Sequence, residues 1–415
     1  MVKRLLAIGF IFCCTTVAWA ILGATINART DGSRTTLRGK VASVWGAPQE
    51  QSAPSAAFVQ SVTHSTVTTV NGKRTETTTQ KDQTIALPLE SSRLEVALDL
   101  DYRQKGLLWY STYRVGFAGQ YAFRNSSAQE QNVTFTFRLP VADAVYDGLE
   151  MKVDNGQSPA LARPVSNLGA AATVSARMAA GSTATLKVSY RSQGLDWWRY
   201  AFSNGVAHVR DFHLRVKTNF RDVDFAENTL APVAKSELPG GWDLQWNYQN
   251  LVSGYKIAVV MPEKLQPGPL AGEISFFAPV SLFFFFFILL ILTTLRNIDL
   301  HPMNYFFLAA AFFSFHLLLA YLADRISIHW AFAISSMVSV FLVASYLRLA
   351  VGPRFALVEA AGAQLIYLVL FSYAFFFQGL TGLAVTIGAI LTLFLVMQLT
   401  ARIRWTEVFA GARPS

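Results

Sequence analysis

At 415 residues, 52% hydrophobic and only 15% charged, the chain is too apolar for a single water-soluble domain and too long for one small core. Its formal net charge of +9 does not mark a nucleic-acid binder, because it divides: residues 27 to 273 carry 26 basic and 22 acidic groups, the remainder nine and four. The two cysteines, adjacent at Cys13 and Cys14, exclude a disulfide framework.

Met1 to Arg4 is a basic tip, and Leu5 to Ile26 is an apolar segment of 22 residues, long enough to span a bilayer. Residues 1–26 therefore read as an N-terminal transmembrane anchor. A secretory signal peptide cleaved after Ala20 is the competing reading, since Ala18-Trp19-Ala20 fits the small-x-small pattern. The apolar run continues to Ile26, which favours retention. Either outcome leaves residues 27–273 on the same side.

That middle region reads as antiparallel β. Ala184, Leu186, Val188 and Tyr190 alternate with Thr185, Lys187, Ser189 and Arg191. Trp242, Leu244, Trp246 and Tyr248 do the same against Asp243, Gln245, Asn247 and Gln249, and such a period of two with one polar face means half-buried strands. Asn71-Gly72, between Val62–Val70 and Lys73–Gln80, supplies the positive φ angles of a two-residue hairpin turn. That hairpin is polar on both faces and is expected to project from the core. A second hairpin is expected around Asn125–Gln131. The Ala/Ser/Pro-rich stretches 46–57 and 156–182 read as loops or linkers; the region is long enough for one generous core or two modest ones, and the second stretch is the candidate division into two β subdomains.

The catalytic motifs of serine hydrolases, phosphate-binding loops, zinc peptidases and dithiol enzymes do not occur, so no catalytic, cofactor-binding or metal-binding residues are assigned. His208 and His213 are close in sequence, but in one strand an odd separation sends their rings to opposite faces, and zinc needs converging ligands. Asp222, Asp224 and Glu227 read as a solvated acidic loop, and of Trp197-Trp198 one ring is expected in the core.

Five further apolar stretches follow: Ile274–Leu295, Tyr305–Leu322, Ile328–Leu347, Phe355–Phe377 and Leu380–Leu399, each near the 20 residues a bilayer core requires. They form a five-span bundle over 274–400, with a tail at 401–415. Arg296 follows the first, Arg325 beside Asp324 the second, Arg348 and Arg354 the third, and Arg402, Arg404 and Arg413 the fifth. Because basic residues near spans stay in the cytoplasm, both termini are expected inside and residues 27–273 outside. Glu359 lies about 6 Å into the fourth stretch, where an interfacial ion pair with Arg354 is expected. His316 falls about 16 Å deep, near the midplane, and Ser339 and Gln364 reach a similar depth. The three form a candidate intramembrane polar layer, either interhelical glue or a proton or ligand path. Ala331, Ser335 and Ser339 recur every four residues, as do Ala384 and Gly388, which favours close helix packing.

The run LHPMNYFFL (300–308), followed by FHLLLAYLADRI (315–326), resembles the membrane region of the CreD family of bacterial inner-membrane proteins. DYRQKGLLWYSTY (101–113) and GGWDLQWNYQNL (240–251) resemble strand segments of that family's exported domain. The resemblance implies a six-span inner-membrane protein with a large periplasmic domain, linked to envelope integrity and to responses to envelope-acting antibiotics. It supplies no catalytic residues. The fold expected is thus a mixed one: an α-helical transmembrane bundle of one N-terminal and five C-terminal spans, carrying a large antiparallel all-β periplasmic domain. Three functions follow: a non-enzymatic envelope protein whose β domain binds a periplasmic protein or the cell wall, a transporter or channel component using the midplane layer, or a membrane-associated enzyme. The first is preferred. The lipid bilayer is the other expected partner, with no cofactor and no nucleic acid.

Overall fold

The computed structural model describes all residues except Met1, 71–72, 143, 156–159, 162–170, 204, 378 and 402–415. It comprises two compact units: a membrane unit of Met1–Thr36, Gln104–Leu108 and Leu265–Ser415, and a β unit of Leu37–Arg103 and Trp109–Lys264. The first helix, α1 (Val2–Trp45), contributes to both, so the anchor expected over 1–26 is only its first part. No proline interrupts Asn27 to Trp45. The helix stops where Gly46 takes a φ of +101° and its α-carbon lies against the Gln193 carbonyl, a conformation and a closeness that suit only glycine.

Among the described residues fifteen strands follow: β1 (Gln49–Ser52), β2 (Ser55–Val70), β3 (Lys73–Ala86), β4 (Leu89–Lys105), β5 (Leu108–Arg124), β6 (Gln131–Arg138), β7 (Asp147–Asp154), β8 (Ala160–Leu161), β9 (Ala171–Met178), β10 (Thr183–Leu195), β11 (Trp197–Ala201), β12 (Ala207–Thr218), β13 (Ala234–Leu238), β14 (Gly241–Ser253) and β15 (Ile257–Val260). One sheet of eight runs β13-β14-β12-β4-β5-β10-β7-β8, one of four β3-β2-β6-β9, and one of three β1-β11-β15. The alternation read in β10 and in the Leu244 and Trp246 positions of β14 is the core face of the large sheet. Phe117 of β5 stacks on Tyr190 of β10 at 5.0 Å, and Phe137 of β6 reaches both rings at 6.0 and 6.2 Å. Phe123 and Phe135 meet edge to face at 5.6 Å across the same gap. The sheets of eight and four therefore pack face to face, and each fully buried ring contributes about 1.5–3 kcal/mol of hydrophobic stabilisation. Gly119 leaves room for this packing, since a Cβ there would sit 2.8 Å from the Tyr121 ring.

Several expectations change. The β unit is not wholly antiparallel: β1 pairs with β11, and β12 with β4, in parallel. Residues 46–57 are not simply a loop, because Gln49 and Gln51 of β1 are fully buried, the first donating through Nε2 to Ser192 Oγ and the Gln193 carbonyl. The 156–182 stretch contains β8 and β9, and buried residues on both sides of it, from Ala56 to Met261, join one core rather than two. Small side chains hid that strand: Ala172, Val174, Ala176 and Met178 alternate inward against Thr173, Ser175 and Arg177. No hairpin forms at Asn125–Gln131, since β5 and β6 lie in different sheets. Asn125, fully buried, ties that crossing: its Nδ2 donates to the carbonyls of Gln129, Met178 and Ala179 at 3.0 Å, and its Oδ1 accepts from Ser127. The Asn71-Gly72 turn lies outside the described residues, but the flanking strands pair up to Val70 opposite Lys73. Among the described residues, β2 beyond Ala57 and β3 pair only with each other.

The membrane unit holds α1's first part and α2 (Pro267–Leu295), α3 (Pro302–Leu322), α4 (Ile328–Ala350), α5 (Phe355–Phe376) and α6 (Thr381–Thr400). With α1, six helices among the described residues are long and apolar enough to cross a membrane. The row Ala331, Ser335 and Ser339 is buried to 0% exposure, and Ser339 Oγ donates to the Ala311 carbonyl of α3 at 2.7 Å. Trp19 of α1, also 0% exposed, sits edge-on to Phe313 and His316 at 5.4 and 5.5 Å. Next to it in sequence, α1 and α2 approach through Gly23 and Gly272, where an added Cβ on Gly272 would strike the Asn27 side chain. The fifth span is irregular: π-helical winding over Phe355–Ala360 and Leu365–Leu370 flanks a short α segment, Ala361–Gln364.

Candidate functional site

The expected midplane layer is half assembled. Gln364 of α5 donates through Nε2 to Ser339 Oγ of α4 at 2.8 Å, and Ser339 passes the chain on to the Ala311 carbonyl of α3. Three helices are thereby joined by two bonds. His316 does not join them. Its Nδ1 bonds to the carbonyl of Phe312, four residues back on its own helix, at 3.2 Å, and its ring stands among Trp19, Phe312 and Phe315. Its ring meets α1 through Trp19. His316 Nε2, Ser335 Oγ and Gln364 Oε1 are buried without a hydrogen-bond partner. In hydrocarbon an unmet donor or acceptor is costly, and Trp19 Nε1, Tyr305 Oη and Glu359 Oε2 are unmet in the same way.

The ion pair also forms differently. Glu359 is bound by Arg296, at the end of α2, rather than by Arg354. Arg354 is one turn earlier on α5 and exposed, whereas the π-helical winding at Phe355–Ala360 carries Glu359 to the side facing α2. No residue pattern signals that winding, and Arg296 was missed for that reason. Arg4 and Asp299 pair at 3.0 Å, a further contact between α1 and the segment after α2. The widened winding also frees the Tyr367 carbonyl, which Ser281 Oγ of α2 binds.

In the β unit the open face of the large sheet carries charge in rungs. His213 lies opposite Arg93 and Asn247, and Arg215 opposite Glu95 and Gln245. On the other side Lys187 lies opposite Gln120 and Lys152, and Ser189 opposite Ala118 and Glu150. Long side chains on the flanking strands and small ones on β5 leave a trough of about 590 Å³, with an adjoining hollow of about 530 Å³ over Ala97 and Gly116. Its charges are matched locally: Lys152 to Glu150 at 2.7 Å, Arg191 to Asp147 at 2.9 Å, Arg93 to Asp211 at 3.3 Å. The Arg215 guanidinium grips the nearly buried Asp243 through two nitrogens and holds its carboxyl below the ordinary range. Lys152 does the same for Glu150. Beneath this face, burial raises the hydroxyl pKa of Tyr113 and Tyr190, which stay neutral, one donating to the Trp197 carbonyl and the other to Gln51.

His208 and His213 are not on opposite faces. Asp211 takes a φ of +38°, the alternation of β12 slips by one there, and both histidines fall on the polar side. They still do not converge: His208 bonds to Asn250, and His213 to Asn247 and Asp211. Trp198 is the buried ring of its pair, and Trp197 carries the Arg199 guanidinium at 4.1 Å. Among the described residues no group of three His, Cys, Asp or Glu side chains is placed to hold a metal ion.

No curated protein matches the chain. Among solved structures, a protein of Legionella pneumophila subsp. pneumophila str. Philadelphia 1, described as a candidate nutrient binding protein, aligns with 58% of this chain and 76% of its own at 11% identity. Its TM-score of 0.32 is too low to carry an argument. Residues 275–406 match the family described as Inner membrane protein CreD, a range that takes in nearly all of α2 and the four helices after it. On that match, the membrane helices within residues 275–406 are those of the CreD family of inner membrane proteins.

Proposed function

We propose that the protein is a non-enzymatic component of the bacterial cell envelope whose β unit lies on the periplasmic side, binds an envelope partner and supports envelope integrity or the response to envelope stress. The trough on the large sheet carries this reading. Its rungs of matched charges and amides suit hydrogen bonding to an extended partner, a periplasmic protein or the wall. The basic residues Arg296, Arg348 and Arg354 at alternate helix ends support a topology with both termini in the cytoplasm. Retention of the N-terminal segment is supported by Trp19, which cleavage after Ala20 would remove from its aromatic seat. Reporter fusions after Arg296, Arg354 and Arg404 are expected to read cytoplasmic, and one near Asp324 periplasmic. A cytoplasmic reading anywhere in 27–273 would sink the topology. For the partner, Ala118→Trp fills the trough floor, and it is expected to abolish envelope function while the protein accumulates normally.

A second reading, a transporter or channel component, is favoured by one observation: the unmet polar atoms of His316, Ser335 and Gln364. His316→Gln separates the two, because an amide cannot carry a proton by titration. Normal accumulation with complete loss of envelope function in that variant would promote the transporter.

A further inference from the structure

The last two helices do not close on each other. Between α5 and α6 runs a cleft of about 500 Å³, one wall formed by Ala384, Gly388 and Thr392 of α6 and the other by Tyr367, Leu370 and Ala374 of α5. Small residues four apart normally bring two helices together, yet here that row faces open space: a Cβ on Gly388 would meet nothing within 4 Å. Two polar groups at the cleft are already bonded within the protein. Thr392 Oγ1 donates to the Gly388 carbonyl of its own helix at 2.8 Å, and the Tyr367 carbonyl is taken by Ser281. The α5 wall includes the second π-helical segment, Leu365–Leu370, a rare winding that recurs at functional sites. Phe284 of α2 stacks on Tyr367 at 6.1 Å and backs the cleft.

We propose that this cleft is a binding site for a single hydrocarbon chain of a bilayer lipid. Its dimensions select the occupant. From Ala384 to Leu395 the cleft is about 16 Å long at 1.5 Å per residue, so its volume corresponds to a bore about 6 Å wide. A helix with its side chains is about 10–12 Å across and does not fit. One file of methylene groups, whose carbons contact neighbours at about 3.5–4.0 Å, does. The apolar lining offers such a chain dispersion contacts on both sides, in place of the one-sided contact on an ordinary lipid-facing helix.

The test uses the full chain in phosphatidylcholine vesicles doped with a phospholipid carrying a diazirine on one acyl chain, irradiated and mapped by mass spectrometry. Cleft residues are expected to label several-fold more than the lipid-facing Met337 and Phe341 of α4, which are 72% and 67% exposed. In Gly388→Leu, which fills the cleft without a clash, labelling there falls to the level of Met337 while labelling of α4 is unchanged. Ala384→Leu repeats the measurement should Gly388→Leu fail to accumulate. Even labelling of cleft and surface in the wild type, or cleft labelling that survives the filling variants, overturns the site. So does efficient disulfide-linked dimer formation by Gly388→Cys in a chain with Cys13 and Cys14 replaced by serine, because a second copy's helix would then occupy the space.

Discussion

The β unit and the membrane unit are both rich in apolar side chains, but the same chemistry means different things in them. In β10 Ala184, Leu186, Val188 and Tyr190 are buried and the residues between them are polar, so along that run hydropathy reports burial directly. In the bundle it does not. The helices α2 and α6 are both predominantly apolar, yet α2 buries 16 residues and α6 only Thr392 and Val396. Water penalises an exposed Phe, whereas lipid does not, so in a bilayer apolarity marks solubility in the membrane and leaves packing to small residues and hydrogen bonds.

Phenylalanine truncations measure that difference. Phe117→Ala in the β core loses both transfer and packing and is expected to cost about 3–5 kcal/mol, read by chemical denaturation of the full chain. Phe285→Ala on α2, equally buried, is expected to cost about 2 kcal/mol in detergent, because lipid already solvates the ring when the helices separate and only the cavity is left. Equal costs at the two sites would break the comparison. Gln364→Leu removes the amide that links α5 to α4 and is expected to cost about 1 kcal/mol. His316→Phe, which removes no interhelical bond, is expected to cost less, and the reverse order would restore His316 as the glue of the bundle.

Acid adds a test confined to the β unit. The Asp243 carboxyl is depressed below its ordinary value of 3.8, so its pairing with Arg215 contributes stability that is fully present above that value and is lost as pH falls through the folded one. Asp243→Asn is therefore expected to flatten the acid limb of β-unit unfolding, followed by tryptophan fluorescence. An unchanged acid limb would contradict the pairing. The smallest effect is expected at Phe394→Ala on α6, within about 0.5 kcal/mol, since that ring is 62% exposed to lipid.

What the sequence made legible follows the same division. Alternation exposed β10 and β14, and apolar length exposed the six long helices, because both signals come from solvent. Signals set by backbone winding were invisible. Nothing in Phe355–Ala360 announces a π-helix, so Glu359 was matched with the neighbour an ordinary helix would offer. Asp211's positive φ likewise overturned a face assignment that counted residues correctly. Of the candidate layer, Ser339 and Gln364 meet because depth alone was enough to bring them level. Depth says nothing about which way a side chain faces, and His316 looks elsewhere.

The β2–β3 ribbon carries a consequence for how this chain can change. Among the described residues only Ser55–Ala57 of β2 pairs with β6, and past Phe58 and Ile85, which still pack on the core, the two strands pair with each other out to Val70 and Lys73. Removing two residues from each strand shortens the ribbon by about 7 Å and leaves every remaining side chain on its original face. The reach of this arm is thus a dimension that insertions and deletions can adjust freely, much as a tool is refitted with a longer handle, while the sheet that holds it keeps its register.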